Sequence, residues 1–366
     1  SGGLDAQLSA RGARAALLIG GAARRHNYLR PGRGADSRHA LRRLFGLDHA
    51  LISSLTGTRL RDTAFTQTGA HAKLALRPSA TQSLTAWYQF SEQTGADGYK
   101  DLWGGLGRMQ SRFEPQRLRF AYLRYETLGP GWLDRASGTF SVNSLSDGTV
   151  RQGMRATDTI VTDENRVDAY GYSGQAARQL AGGPLITFGG DLYDERIRAS
   201  RFNNAAPARP LFPDGARYAT AGLYAQGVQE LFRNRLRALA GVRFTRIGFR
   251  TREDARFGVP ASGQSFRDVT MNGSLTLRLS GVLELHALGG RGFRAPNLND
   301  LGALGLNDLG YEIPAAEAPG ALPGASAAES ALPTGRAVSA LRAESLWNAE
   351  LGAALRTRRV YARLHG

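Results

Sequence analysis

Hydrophobic and polar residues alternate with a period of two along most of the chain. The alternation is clear in Leu84–Phe90, Leu236–Phe244, Gly273–Leu279 and Trp347–Leu355. Because successive side chains of a strand point to opposite faces, each segment is predicted to be a strand with one apolar and one mainly polar face. A helical period is clear only in Arg38–Ile52. The chain is therefore predicted to be all-β.

The connections between the predicted strands alternate in length without a break. The short ones lie at Arg11–Ala13, Pro78–Ala80, Leu128–Trp132, Ala181–Gly183, Phe232–Arg233, Ser280–Gly281 and Thr357–Arg358. The long ones lie at Arg30–Thr66, Gln93–Arg112, Asp147–Asn165, Phe202–Arg217, Thr251–Ser265 and Ala295–Ala343. Bacterial outer-membrane barrels have short periplasmic turns and long extracellular loops. The pattern thus predicts an antiparallel up-and-down transmembrane β-barrel, of which the chain supplies about 14 strands.

The predicted strands are also long. Arg235–Arg250 spans 16 residues, whereas a strand of a soluble protein has about 5–6 residues. A tilted strand needs about 9–11 residues to cross a bilayer. We therefore expect the strands to project beyond the membrane on the side of the long loops.

Composition excludes several other classes of protein. The chain has 47 Lys and Arg against 31 Asp and Glu, a net charge of +16 and no cysteine. The lack of cysteine excludes a disulfide scaffold, a thiolate metal site and a cysteine nucleophile. The basic residues are spread along the chain and do not cluster with aromatic residues on one face, so no nucleic-acid partner is expected. No nucleophile elbow or metal-ligand motif occurs, so we predict no enzyme, no cofactor and no metal site.

The strongest local signal is Gly290–Leu301, where a predicted strand ends and the longest connection begins. Pro296 cannot donate to a ladder and restricts the residue before it, so the strand is expected to stop there. Two interpretations of Arg294 remain open. The side chain points into the barrel toward a plug or an anionic ligand, or the motif only ends the strand and pins the loop.

This stretch resembles a motif of the TonB-dependent outer-membrane receptor family, in which Gly-Phe-Arg-Ala-Pro precedes a long loop and a Glu-Ser-x-x-Asn-x-Glu-Leu-Gly segment. The residues of the first motif are Gly292, Phe293, Arg294, Ala295, Pro296, Asn297 and Asp300. The residues of the second motif are Glu344, Asn348 and Glu350. Their order and their separation by a long loop are typical of the family.

The resemblance implies a plugged barrel of about 22 strands in the bacterial outer membrane. It also implies a TonB-type energy-transducing protein as partner and active uptake of a scarce nutrient. The cargo that is expected first is a ferric siderophore or a similar iron complex. Haem or haemoglobin, cobalamin and oligosaccharide stay open as cargo, as does a passive porin. No segment resembles a plug or a TonB box. Residues 1–366 are therefore expected to be a partial barrel domain, with further strands on both sides.

One predicted extracellular loop combines aromatic and cationic residues. Its candidate ligand contacts are Tyr99, Lys100, Trp103 and Arg108. The loop faintly resembles the haem branch of the family, although its histidines are absent and the only loop histidines are His39 and His49. The aromatic side chains would stack on an aromatic ligand or lie near the membrane interface.

Arginines are further candidates for contacts with anions. Three of them in residues 38–43 would form a basic turn that touches lipopolysaccharide, or simply a solvated loop helix. Arg235, Arg237 and Arg243 are expected to face the inside of the barrel. There they would guide an anionic chelate or pair with carboxylates of a plug.

Overall fold

Fourteen strands follow one another in chain order in a single antiparallel sheet. The computed structural model describes residues 1–30, 39, 42–44, 46–56, 59, 62–98, 108–153, 155–210, 212–257, 261–297, 305–307, 310–312 and 342–366. These strands are β1 (Gly2–Arg11), β2 (Ala15–His26), β3 (Phe65–Leu76), β4 (Gln82–Thr94), β5 (Gln110–Leu128), β6 (Arg135–Gln152), β7 (Ile160–Gln179), β8 (Leu185–Asn203), β9 (Arg217–Leu231), β10 (Leu236–Thr251), β11 (Ser262–Arg278), β12 (Leu283–Arg294), β13 (Glu344–Arg356) and β14 (Tyr361–His365). Four short strands add to them: Ala96–Asp97 pairs with β5, Ala206–Ala208 pairs with β8, and Gly305–Asn307 pairs with Gly310–Glu312.

Each strand pairs with the next, which confirms the up-and-down order and the predicted number of strands. The seven short connections all lie at one end of the sheet, and the six longer ones lie at the other end. The sorting of loops that the sequence predicts is therefore present. Among the described residues, β1 pairs only with β2 and β14 only with β13, so the barrel is not closed.

The strands are longest in the middle of the sheet. Strands β5 to β8 contain 19, 18, 20 and 19 residues. About 9–11 residues suffice to cross a bilayer. Because the short turns mark the periplasmic end, the remaining residues of these strands extend to the extracellular side.

One face of the sheet is apolar at the level of the membrane. The cross-strand partners Tyr172 and Leu192 lie on this face, as do the partners Leu223 and Phe244. Leu223 is 67% exposed, and its neighbours in the row are exposed as well. The lipid band is defined as these four residues together with all outward-facing residues that lie between this level and the short turns. Exposed apolar side chains in such a band are the expected contacts of lipid chains.

The opposite, inner face is polar and contains many glycines, several of which lie under a long side chain of the neighbouring strand. A methyl group added to Gly171 would overlap Tyr193, and one added to Gly222 would overlap Arg243. Gly171 and Tyr193 are direct cross-strand partners, whereas Arg243 is paired with Tyr224 and reaches Gly222 diagonally. Glycine therefore lets these long side chains lie along the sheet.

The compact apolar core of the described chain is found at the extracellular ends of the strands. The two large side chains that are almost fully buried are Phe249 of β10, at 0% exposure, and Ile197 of β8, at 2%. They pack with Ala199 and Ala216, and these four residues are called the rim core. The segment before β9 folds onto β8, since the Ile197 N–H donates to the Ala216 carbonyl oxygen at 2.9 Å. The rim is thus a small packed structure of its own.

The helical expectation for Arg38–Ile52 is met in two separate parts, since residues 39 and 42–44 are helical and a second, regular helix follows. The regular helix is His49–Thr56, and its first hydrogen bond joins the Ile52 N–H to the Asp48 carbonyl oxygen at 3.0 Å. Gly46 has a left-handed backbone, with φ of 65°, so the helix begins only after it. None of the helical segments that the structure describes is long and apolar enough to cross a membrane.

Candidate functional site on the inner wall

The two sequence motifs lie side by side at the extracellular ends of β12 and β13. The register pairs Arg294 with Glu344 and Gly290 with Asn348. Residues 50 and 58 positions apart in the sequence are therefore direct neighbours on adjacent strands, and all four belong to the inner face.

Arg294 forms an ion pair with Glu344 across the two strands. Its Nη1 donates to both carboxylate oxygens of Glu344 at 3.2 Å. The two side chains are 60% and 70% exposed. An exposed pair of this kind stabilises a fold by about 0–1 kcal/mol. The arginine thus has a partner within this chain, and a contact with a plug or an anionic ligand stays a prediction.

The residues after Arg294 anchor the start of the longest connection. Strand β12 ends at Arg294, as Pro296 requires, and both Ala295 and Pro296 are buried. The Tyr218 hydroxyl donates to the Pro296 carbonyl oxygen at 3.2 Å. Because Tyr218 also packs against the rim core, the motif joins the exit of β12 to the core at the top of β9.

Asn348 lies close over Gly290 on the inner face. A Cβ at Gly290 would come within 3.1 Å of the Met271 carbonyl oxygen and 3.2 Å of the Asn348 Oδ1. Both distances are tighter than ordinary contact, so glycine at position 290 allows this approach. Gly292 has more room, with its nearest contact at 3.8 Å.

Glu350, the last residue of the second motif, lies deeper in the barrel beside two histidines. Its Oε1 is 3.9 Å from the His286 Nε2 and 3.5 Å from the His365 Nδ1. The three residues come from β12, β13 and β14. Sequence reasoning missed this group because no spacing along one segment signals it. The register of three strands creates it.

The other predicted site residues are more scattered. Phe293 is half-buried on the outward face, and Asn297 is exposed. Arg108 is half-buried before β5, next to Met109, whose N–H donates to the Gly153 carbonyl oxygen at 2.9 Å. Tyr99, Lys100, Trp103 and Asp300 lie outside the described residues. Most of the predicted ligand-contact loop therefore lies outside the described residues, and its role stays a prediction.

Arg243 faces the inside as predicted, but its carboxylate partner belongs to this chain. Its Nη1 and Nη2 donate to the two carboxylate oxygens of Asp191 on β8 at 2.8 and 2.9 Å. The Arg243 Nε also donates to the Thr245 hydroxyl at 3.1 Å. Three of the five N–H groups of the guanidinium are thus used within the wall, and a contact with a plug carboxylate or an anionic chelate stays a prediction.

Among the carboxyl groups above the lipid band whose pKa is shifted, Asp168 and Glu195 differ in direction. Burial by itself would raise the pKa of Asp168, but hydrogen bonds from Ser144 and Arg166 lower it below its ordinary value. Glu195, on the inner face near the rim core, is different. Burial raises the pKa of this carboxyl, and no cation offsets the effect. Glu195 therefore carries an uncompensated cost of ionisation at neutral pH.

Long antiparallel strands, an apolar outward face, a polar inner face and connections sorted by length define an outer-membrane β-barrel. Residues 47–366 match the family described as TonB dependent receptor-like, beta-barrel, and the chain belongs to this family. It is accordingly a protein of the outer membrane of Gram-negative bacteria. No curated protein sequence matches it.

Several solved receptor structures are similar to the chain. The copper transporter OprC matches with a TM-score of 0.67 and 10% identity, over 99% of this chain and 52% of that chain. A double mutant of the Serratia marcescens hemophore receptor HasR, in complex with its hemophore HasA and heme, matches with a TM-score of 0.65 and 14% identity, over 99% and 50%. The FrpB iron transporter of Neisseria meningitidis (F5-1 variant) matches with a TM-score of 0.63 and 11% identity, over 97% and 50%. At these identities the likeness shows the fold alone, and the chain spans about half the length of these proteins.

Proposed function

We propose that the chain forms part of the barrel wall of a receptor that takes up a scarce nutrient across the outer membrane. The cargo that we favour is a ferric siderophore or a similar iron complex. The observation that carries the proposal is the family match over residues 47–366. The names of similar structures add support, since they include an iron transporter and a ferric preacinetobactin receptor.

Active uptake requires a plug and a TonB box, and no segment of this chain resembles either of them. We infer that a plug and further strands are supplied by the rest of the receptor, and that a TonB-type protein moves the plug. The polar inner wall, with side chains such as Arg243 held by Asp191, then lines the path of a polar cargo. The family consists of transport receptors, so we propose no enzymatic activity.

We further infer that the outward face above the lipid band contacts lipopolysaccharide. Arg246 and Arg267 are direct cross-strand partners, and Arg250 lies two positions higher on the same face, beyond Gly248. Within the described ranges, no carboxylate pairs with these three residues. Like charges directly opposite each other on a sheet are destabilising. Phosphate groups of the surrounding lipid would offset that repulsion.

Uptake of radioactive iron tests the proposed function. Cells that lack their own iron receptors and express the full-length receptor are given ⁵⁵Fe³⁺ bound to a panel of siderophores. We expect saturable accumulation that a protonophore or loss of the TonB-type protein abolishes. Accumulation that is linear in concentration and independent of energy would instead indicate a porin. If the cells grow on haem, cobalamin or oligosaccharide but do not take up ⁵⁵Fe³⁺-siderophore, then that nutrient is the cargo and the iron complex is not.

A further inference from the structure

We propose that His286, Glu350 and His365 form a binding site for a divalent transition-metal ion on the inner wall of the barrel. The site lies at the level of the membrane, well below the Arg294–Glu344 pair, and it does not depend on which nutrient the receptor takes up.

The register of three adjacent strands creates the group. His286 on β12, Gly352 on β13 and His365 on β14 are aligned across the sheet. Glu350 lies two residues before Gly352, so its side chain points to the same face. One ligand atom from each of the three side chains lies within 4.8 Å of the other two.

Gly352 provides the space in which the two imidazole rings approach each other. A methyl group at this position would overlap the His286 ring. With glycine there, the rings of His286 and His365 lean over β13 and lie 6.4 Å apart, nearly perpendicular at 81°. The strand between the two histidines is thus shaped to let them converge.

The His286 Nε2 is a buried atom that lacks a hydrogen-bond partner in the described structure. Its distance of 3.9 Å from Glu350 is too long for a hydrogen bond. A buried polar atom without a partner costs about 1–3 kcal/mol. A metal ion between the ring and the carboxylate would give this nitrogen the partner that it lacks.

The chemistry of the donor set selects the class of ion. Two imidazole nitrogens and one carboxylate oxygen bind Zn²⁺ with one position left open, and imidazole also suits copper, iron and nickel. Donor atoms around a tetrahedral Zn²⁺ are about 3.4 Å apart, given bonds of about 2.0–2.1 Å. The Glu350 Oε1 lies 3.5 and 3.9 Å from the two nitrogens, and all three donor atoms lie within 4.8 Å of one another, so rotation of the side chains would bring them to that geometry. The open position would face the inside of the barrel.

Titration with Co²⁺ tests the site, because this ion has a visible absorption spectrum that reports its coordination. The full-length receptor is stripped of metal in detergent and titrated with Co²⁺ and then with Zn²⁺. We expect the spectrum of a tetrahedral or five-coordinate Co²⁺ ion, which Zn²⁺ then removes. Loss of a group in the outer shell of a metal site already costs about 10–100-fold in affinity, so His286→Ala, His365→Ala and Glu350→Gln should each weaken binding at least about tenfold.

His71→Ala is the matched control. His71 also lies on the inner face, but it stacks on Trp87 at 5.4 Å and lies over Gly20. We expect this variant to bind Co²⁺ as the parent protein does. Heat-dependent migration in gels shows that each variant is folded. A second test is Gly352→Ala, which keeps all three ligands but fills the space between them.

Equal affinity and equal spectra in the parent protein and in His286→Ala and Glu350→Gln would overturn the proposal. So would an equal loss of affinity in His71→Ala. Neither result touches the proposed uptake function, because metal binding is measured without transport.

Discussion

Strand β10 passes through two environments that stabilise it in different ways. In the lipid band its outward side chains, such as Val242 and Phe244, are exposed. Seven residues after Val242, on the inner face at the rim, Phe249 is completely buried by protein. The band therefore relies on lipid for apolar contact and on the strand ladder for its polar groups. The rim carries its own packed core, as a small water-soluble structure does.

Truncation of the rim core should have the largest effect on stability. Replacing a buried phenylalanine by alanine removes transfer energy and leaves a cavity, which costs about 3–5 kcal/mol. We expect Phe249→Ala to lower the local free energy of opening of β8 to β10 by this order, measured by hydrogen exchange of their amides. Phe244→Ala, on the same strand but facing lipid, should change that exchange much less. Equal effects of the two variants would remove the distinction between rim and band.

A charge in the lipid band should be nearly as costly. Val242 faces outward within the band, one row below Phe244, and an arginine on the lipid face of a barrel costs about 2–4 kcal/mol at the bilayer midplane and less toward the interfaces. We expect Val242→Arg to lower the free energy of unfolding in lipid vesicles by that order. Ser274→Arg, on the inner face of β11, is the control that places the same charge toward the polar interior. A larger loss for Ser274→Arg would reverse the assignment of the faces.

Removal of one outward arginine above the band should weaken binding of lipopolysaccharide several-fold. A basic residue near an anionic membrane surface contributes about 1 kcal/mol. We expect Arg246→Ala to lower the ratio of lipopolysaccharide to purified receptor, measured by mass spectrometry. Arg237→Ala, at the other end of the same strand, changes the net charge equally and should leave the ratio unaltered. The same decrease in both variants would show that only net charge matters.

The smallest effect concerns the dependence of rim stability on pH. Burial raises the pKa of Glu195 above its ordinary value of 4.5. The folded state therefore favours the protonated carboxyl, and stability falls as pH rises from the unfolded value through the raised folded value. We expect Glu195→Gln to be more stable than the parent protein at neutral pH, with the advantage gone below about pH 4. Parallel stability curves for the two proteins would contradict this.

Alternation and loop length predict most of the fold because both are local properties of the sequence. A period of two identifies each strand, and a break of two to five residues identifies each turn. The exact helix in the first long connection was harder to predict, since the left-handed backbone at Gly46 interrupts the helical period.

Contacts between strands are the part that the sequence alone does not predict. The neighbours of Glu350 depend on the registers of β12 with β13 and of β13 with β14, and a shift of one residue would move its side chain to the other face. The same holds for the pair of Arg243 with Asp191 and for the hydrogen bond from Tyr218 to Pro296. A motif indicates the family, whereas the register decides which side chains meet.

The glycines of the inner face also have a consequence for the bore of the barrel. Because Tyr193 lies over Gly171, and Arg243 over Gly222, these long side chains run along the wall and do not reach toward its axis. The wall can thus be rich in bulky polar groups and still leave a wide cross-section. At these two places the wall presents a thin, hydrogen-bonding lining.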